Sequence, residues 1–329
     1  MKRKALVTKS TTVATIQQQL IEEFGKFPLH HLNAKWQYQQ FLMKKKTLHK
    51  QELLAILDFS ENYRCVSQDE AQSAHWNYLQ TTIHPIVFYY NCNQCTDCKK
   101  IVTEAVICVS DDLTHDSSSV EVFTQHAIEH MKTRGDFTKL TQFTDGCSAQ
   151  YKSRKPFLGI QQSVENIGMP IERNFFGSRH GKNPSDGESA VVKSGATRAV
   201  KCRRSIIQTP KDFYEFGRVN MTLNELHYKR KFLFVSTMTI QKVREEEQLV
   251  NQSLKPLPGT RSLHVVKAHK GGLLTRNLSC FCTGCENEDG HGSCKNNDYV
   301  QEWQSTDMKR PQARSLPKRK KVSMYKLCK

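Results

Sequence analysis

Residues 53–58 read Leu53-Leu54-Ala55-Ile56-Leu57-Asp58, five apolar side chains in a row and then a carboxylate. A run this short and this apolar suits a strand buried on both faces. Its acid marks the strand end. The segments downstream decide how that strand is paired. Residues 81–90 (TTIHPIVFYY) and 101–109 (IVTEAVICV) are β-branched and aromatic and predict a second and a third strand. The Cys-rich link between them predicts an antiparallel hairpin with an elaborated tip, and Pro85 hints at an edge or a bulge.

Farther along, Asp116 is expected to cap a helix over SSSVEVFTQHAIEHMK, with Val120, Phe123, Ala127 and Met131 on one stripe. Leu140 to Phe143 leads into Asp145-Gly146, a fourth strand and its turn. Phe157 to Val164 reads as a short helix, Glu172 to Phe176 as a fifth strand, and a last helix begins near Ser185. The order β-β-β-α-β-α-β-α predicts an α/β fold, a mixed five-stranded sheet flanked by helices. Upstream, residues 11–50 read as helical, with Leu20, Ile21, Phe24, Trp36, Phe41 and Leu42 set among Gln and Lys.

The net charge of +17 points to a polyanionic partner, with nucleic acid the default. It is unevenly spread. Residues 1–50 carry ten basic and two acidic groups, residues 193–232 ten and three, and residues 306–329 nine and one. The rest of the chain is therefore net −6. No apolar run approaches the length of a membrane span, and the N-terminus lacks the apolar core of a secretory signal, so neither a membrane nor an export route is expected. Twelve cysteines without such a signal predict a reducing compartment, where thiols stay free or bind metal.

Acids fall at three places where open α/β sheets gather functional groups: Asp58 ends the first strand, Asp145 ends the fourth, and Asp186 and Glu188 open the last helix. Carboxylates so gathered can hold two divalent cations about 3.5–4 Å apart for in-line phosphoryl displacement. Hard Mg²⁺ or Mn²⁺ suits such oxygen ligands. This element order, with acids on strand one, strand four and the last helix, resembles the RNase H-like fold of DDE transposases and integrases. The strings LDFSENYRC, QDEAQSAHW, ICVSDDLTHD, FTDGCSAQYKS and FFGSRHGKNPSDG are similar to segments of transposase-like proteins encoded by eukaryotic DNA transposons. The resemblance covers residues 50–205 and extends more weakly to 280–300. It implies Asp58 and Asp145 as the first and second catalytic, metal-binding acids.

The third acid is Asp186 or Glu188. Ser185-Asp186-Gly187-Glu188 fits a capping box with Ser185 as N-cap and Glu188 at N3, which would give Glu188 a structural task. Asp186 shares a helical stripe with Ala190 and Lys193, the face better suited to DNA, and is preferred. The resemblance to transposase-like chains also favours this Asp. Asp111-Asp112 and His115-Asp116 are candidates for outer hydrogen bonding or a helix cap, the cap being preferred for Asp116. Gln150, Lys152, Arg154 and Lys155 after Asp145, and Arg179, His180 and Lys182 before Asp186, with Lys193, are the candidate DNA-binding groups. His180 is either a proton shuttle or, as a lone loop His more often is, a scaffold group.

Cys280, Cys282, Cys285 and Cys294 form a CxC-x2-C-x8-C segment that could bind structural Zn²⁺. Cys92, Cys95 and Cys98 form overlapping CxxC pairs that lack a fourth ligand in their own loop; Cys65 or a residue elsewhere could complete a metal site, but free surface thiols are the plainer reading.

The expected organisation is a basic helical segment (1–50), an RNase H-like core (51–205), a Cys-rich accessory region (206–305) and a basic flexible tail (306–329). The expected function is transposase-like DNA strand cleavage or transfer by a two-metal mechanism in the nucleus, from a truncated or domesticated copy, with a homo-oligomer as a candidate state. The alternatives are a catalytically inactive nucleic-acid-binding protein of the same fold and a zinc-stabilised interaction module.

Overall fold

In the computed structural model, which describes residues 10–65, 79–93, 98, 100–177, 183–251, 254–269, 271–286 and 300–303, the run at 53–57 lies near the centre of a large mixed sheet. In chain order the first elements are α1 (Val13–Lys46), β1 (Glu52–Leu57), β2 (Tyr63–Arg64), β3 (Gln80–Asn91) and β4 (Ile101–Ser110). Then come α2 (Ser117–Lys132), β5 (Lys139–Thr144), α3 (Arg154–Gln161), α4 (Ser163–Ile167), β6 (Ile171–Phe175) and α5 (Pro184–Lys201). The remainder is α6 (Pro210–Asn220), β7 (Leu223–Asn224), β8 (Tyr228–Val235), α7 (Thr237–Asn251), β9 (Val265–His269), β10 (Gly272–Arg276), α8 (Thr283–Glu286) and β11 (Val300–Trp303).

Every residue of β1 is buried, because the strand is covered on both faces. Its side chains alternate between two cores, as pleating requires. Leu53, Ala55 and Leu57 join Phe123, Ala127 and Met131 of α2, Phe157 and Ile160 of α3, and Ile240 of α7. Leu54 and Ile56 join Phe41 of α1, Val192 and Ala196 of α5, and Phe213 of α6 on the other face. The expected α2 stripe is buried in full, and Asp116 caps that helix by accepting from the Ser119 amide at 2.9 Å.

β1 pairs antiparallel with β3 and β3 with β4, while β5 runs parallel to β1 and β6 parallel to β5. These are the five expected strands, and Pro85 lies inside β3 facing Ile107. The sheet is nonetheless larger than five strands. Its order is β11-β10-β9-β6-β5-β1-β3-β4-β8-β7, with β2 paired to β3. β4 and β6 would otherwise be edges with open backbone donors and acceptors. β8 pairs parallel with β4, and β9 antiparallel with β6, so residues 206–303 extend the same sheet at both sides. The basic tail at 306–329 lies outside the described residues.

α1 divides in two. Leu20, Ile21 and Phe24 are exposed, whereas Ala34, Gln37, Phe41 and Lys44 are buried. Gly177 explains the close seat of the helix: a Cβ there would lie 2.5 Å from the Ala34 Cβ and 2.7 Å from its Cα. Among the described residues, no helix is long and apolar enough to cross a membrane.

Glu104 on β4 is fully buried and accepts from the Tyr90 hydroxyl at 2.8 Å, His130 Nε2 at 2.7 Å and Arg134 Nη2 at 2.9 Å. Burial alone would raise its carboxyl, but these donors outweigh it and hold the group at about 2. The stabilisation is therefore present above the ordinary value of 4.5 and is lost as pH falls through about 2. Glu104→Gln should lower the unfolding free energy by about 3 kcal/mol at neutral pH, measured by urea denaturation, because it removes a buried carboxylate from three donors and leaves the half-buried Arg134 guanidinium unpaired. The deficit relative to wild type should shrink in strong acid.

Candidate active site

The β1–β5 register sets the geometry. Leu57 is opposite Thr144 in this parallel pair, so the next residues, Asp58 and Asp145, leave adjacent strands side by side. Neighbouring strands lie about 4.8 Å apart, which brings the two carboxylates into one field. β1 then breaks. The Ser60 amide donates to the Ile83 carbonyl at 3.1 Å, and the Cys65 amide to Leu79 at 3.0 Å, so β2 continues the row of β1 along β3 after a bend. The bend opens a cleft of about 760 Å³ lined by Asp58, Asn62, His115, Asp145 and Gln150, among others.

The third acid arrives by helix docking. Ser185 Oγ donates to the Ile56 carbonyl at 3.1 Å, and Asn183 Nδ2 donates to Asp58 Oδ2 at 2.9 Å. Together they pin the start of α5 onto the end of β1. The capping box lies two residues before the Ser185–Glu188 pair expected from sequence. Asn183 is the N-cap and accepts from the Ser185 and Asp186 amides, while Asp186 at N3 accepts from the Asn183 amide. Pro184 at N1 explains the shift, since its fixed φ and missing N–H suit the first helical position.

Glu188 lies elsewhere. It is buried, accepts from Arg230 Nε at 2.7 Å and pairs with the Tyr228 hydroxyl, both on β8. It is therefore neutralised within the sheet-facing side of α5. Asp58, Asp145 and Asp186 form no ion pair among the described residues. Burial, and then the charges of Asp145 and Asp186, push the Asp58 carboxyl up to about 6, against the Asn183 hydrogen bond. Burial also raises Asp145, whose side chain accepts from the Cys147 amide at 3.1 Å.

The acid-rich end of β4 has structural work. Arg244 of α7 bonds Asp112 at 2.5 Å and Asp116 at 2.7 Å, and Asp111 accepts from the Thr237 amide at 2.6 Å. His115, beside these acids in sequence, faces the cleft instead. It stacks on Phe59 with ring centroids 4.3 Å apart, and its Nε2 lies 2.8 Å from Asn62 Oδ1. Burial lowers its pKa, favouring the neutral imidazole.

The basic candidates are dispersed. Lys193 donates to the Glu61 carbonyl at 2.8 Å on the cleft rim and senses the charge of Asp186. Lys152 donates to the Arg261 carbonyl at 3.2 Å, sits over the Phe175 ring and is lowered by burial to about 8. Arg154 donates to the Leu254 carbonyl at 3.2 Å, and Lys155 is half-buried on the same turn. Arg179, His180 and Lys182 lie outside the described residues.

Cys280, Cys282 and Cys285 come together, with their sulfur atoms all within 4.8 Å of one another. Cys294 is outside the described residues. α1 holds this segment. Gln37 Nε2 donates to Ser279 Oγ at 2.8 Å, the Phe281 amide donates to Gln40 at 3.0 Å, and buried Lys44 bonds Glu52 at 2.9 Å and Glu286 at 2.8 Å.

The raised Asp58 pKa has a measurable consequence. Its favourable contribution is complete below the ordinary value of 3.8 and is lost as pH rises through about 6. Without divalent cations, Asp58→Asn should be more stable than wild type above that window by on the order of 2–3 kcal/mol, and equal to it in acid. Urea unfolding across pH tests this, and identical curves at every pH would show that neither burial nor the neighbouring acids raise the Asp58 carboxyl.

No curated protein matches the chain significantly. Residues 37–279 match a family described as a domain of unknown function, DUF8701. The matched region runs between Gln37 and Ser279, which hydrogen-bond to each other. The match spans most of the chain, which therefore belongs to the DUF8701 family.

Proposed function

We propose that this chain is a transposase-like, RNase H-like protein that cleaves or joins DNA strands at Asp58, Asp145 and Asp186. The observation that carries the reading is the convergence of three carboxylates that form no ion pair among the described residues, two of them lining an open cleft. Such an arrangement is unfavourable for the folded chain unless cations neutralise it. Three strands paired antiparallel, with two more parallel to the first, support the expected core arrangement.

In this reading Asp58 and Asp145 hold Mg²⁺ or Mn²⁺ and Asp186 completes the set. When bound, the ions supply charge stabilisation to a phosphodiester undergoing in-line attack and favour the deprotonated nucleophile. Asn183 orients Asp58 through its 2.9 Å hydrogen bond. His115, whose neutral form burial favours, donates from Nε2 to Asn62 Oδ1 at the cleft wall, so a proton taken from water or a 3′-hydroxyl would go to Nδ1. Lys193 on the rim, together with Lys152, Arg154 and Lys155 on the side of Asp145, would bind phosphates without reading bases. The Cys280–Cys285 cluster would hold structural Zn²⁺, with Cys294 as the expected fourth ligand. DNA substrates place the protein's work in the nucleus.

The test is cleavage of labelled DNA with Mg²⁺ or Mn²⁺. Wild type should cut, Asp145→Asn should fall to background, and Glu188→Gln should cut while unfolding at lower urea. Equal cleavage by wild type and Asp145→Asn would sink the catalytic assignment. DNA binding without cleavage in both would favour the non-catalytic nucleic-acid-binding reading.

A further inference from the structure

At the opposite end of the sheet from the acids, β3 and β4 are joined by the Cys-rich tip. Asn91 pairs with Ile101 at the end of the ladder, and the Cys92 amide donates to the Lys100 carbonyl at 3.0 Å. Cys92 and Cys98 thus sit at the mouth of a short closed loop. The neighbouring strand supplies a third group. β8 begins at Tyr228, opposite Thr103, and the Thr103 amide donates to the His227 carbonyl at 3.0 Å. This fixes the backbone of His227 beside the tip. Its Nε2 lies 3.3 Å from Cys98 Sγ, and the two sulfurs and one imidazole nitrogen are all within 4.8 Å of one another.

We propose that Cys92, Cys98 and His227 form a structural Zn²⁺ site that clamps the β3–β4 tip to the start of β8. The donor set is that of borderline-soft Zn²⁺: two thiolates and a neutral imidazole. With Zn–S near 2.3 Å and Zn–N near 2.0–2.1 Å, tetrahedral coordination sets ligand atoms about 3.5–3.8 Å apart. The observed spacing needs only small side-chain adjustments to reach that. The ion balances two thiolate charges and leaves a fourth coordination position for another group. A disulfide between the two cysteines would leave the placement of His227 unexplained.

The consequence is mechanical. β8 carries Arg230 and Tyr228, which hold Glu188 of α5. β8 follows β4 in the sheet but comes after more than a hundred intervening residues. A metal at the residue just before it fixes that remote pairing where the strand begins. The site does not depend on the carboxylates being catalytic.

The experiment uses the full chain carrying both Cys282→Ser and Cys285→Ser, which leaves the other thiol cluster too few ligands to hold zinc, purified with a thiol reductant and without chelator. About one zinc per chain should remain by elemental analysis. Adding His227→Ala or Cys98→Ser should remove it, whereas Cys202→Ser, at an exposed cysteine outside the cluster, should not. With Co²⁺, thiolate-to-metal absorption should appear, vanish in Cys98→Ser, and persist but shift in His227→Cys. A chain with both serine substitutions that folds by circular dichroism but holds no zinc overturns the proposal. So does zinc retained undiminished in His227→Ala, or a Cys92–Cys98 disulfide in the intact mass measured without reductant.

Discussion

Parallel pairing of β1 with β5 is the constraint on which the rest of the site depends. It places Leu57 opposite Thr144. Both strands end there, so their next side chains, Asp58 and Asp145, emerge together. A shift of one residue would turn each acid to the other face of the sheet. The two cores resist that shift, since Leu53, Ala55 and Leu57 pack on one face and Leu54 and Ile56 on the other. The apolar run thus locks the acids at the price of their mutual repulsion.

Everything added to the pair serves to aim or to brace it. α5 contributes Asp186 because Ser185 and Asn183 bond back to β1. Glu188, two residues later, meets the opposite demand: it pairs with Arg230 and secures α5 to β8. Two acids of one helix turn therefore differ because one is exposed and caps the helix start while the other meets a buried guanidinium. Arg244 plays the same bracing part across the acid-rich end of β4, joining α7 to the N-terminus of α2 through Asp112 and Asp116.

Local signals in the sequence reach the centre of the fold and stop near its edges. Strand runs and helix stripes are short-range, so β1, β3, β4, β5, β6 and α2 are legible, and with them Asp58 and Asp145. The start of α5 is misplaced by two residues because Ser185-x-x-Glu188 and Asn183-x-x-Asp186 both fit a capping box. Pro184 distinguishes them. β8, β9 and β10 are not legible, because their pairing to β4 and β6 spans long stretches of chain and YKRKFLFV has too many cations for an obvious strand. His227 is hidden for the same reason: only the fold brings it to Cys98. His115 carries one signal, its place between the acids at the end of β4, but its stacking on Phe59 is a tertiary fact.

The proposed divalent-cation site at Asp58, Asp145 and Asp186 is open to anomalous diffraction from crystals grown with Mn²⁺. Mn²⁺ density bounded by these three carboxylates, absent in Asp145→Asn, with Glu188 still bonded to Arg230, is the expected result. Fully occupied Mn²⁺ elsewhere with none among the three acids, or Glu188 turned away from Arg230 to ligate it, would overturn the assignment.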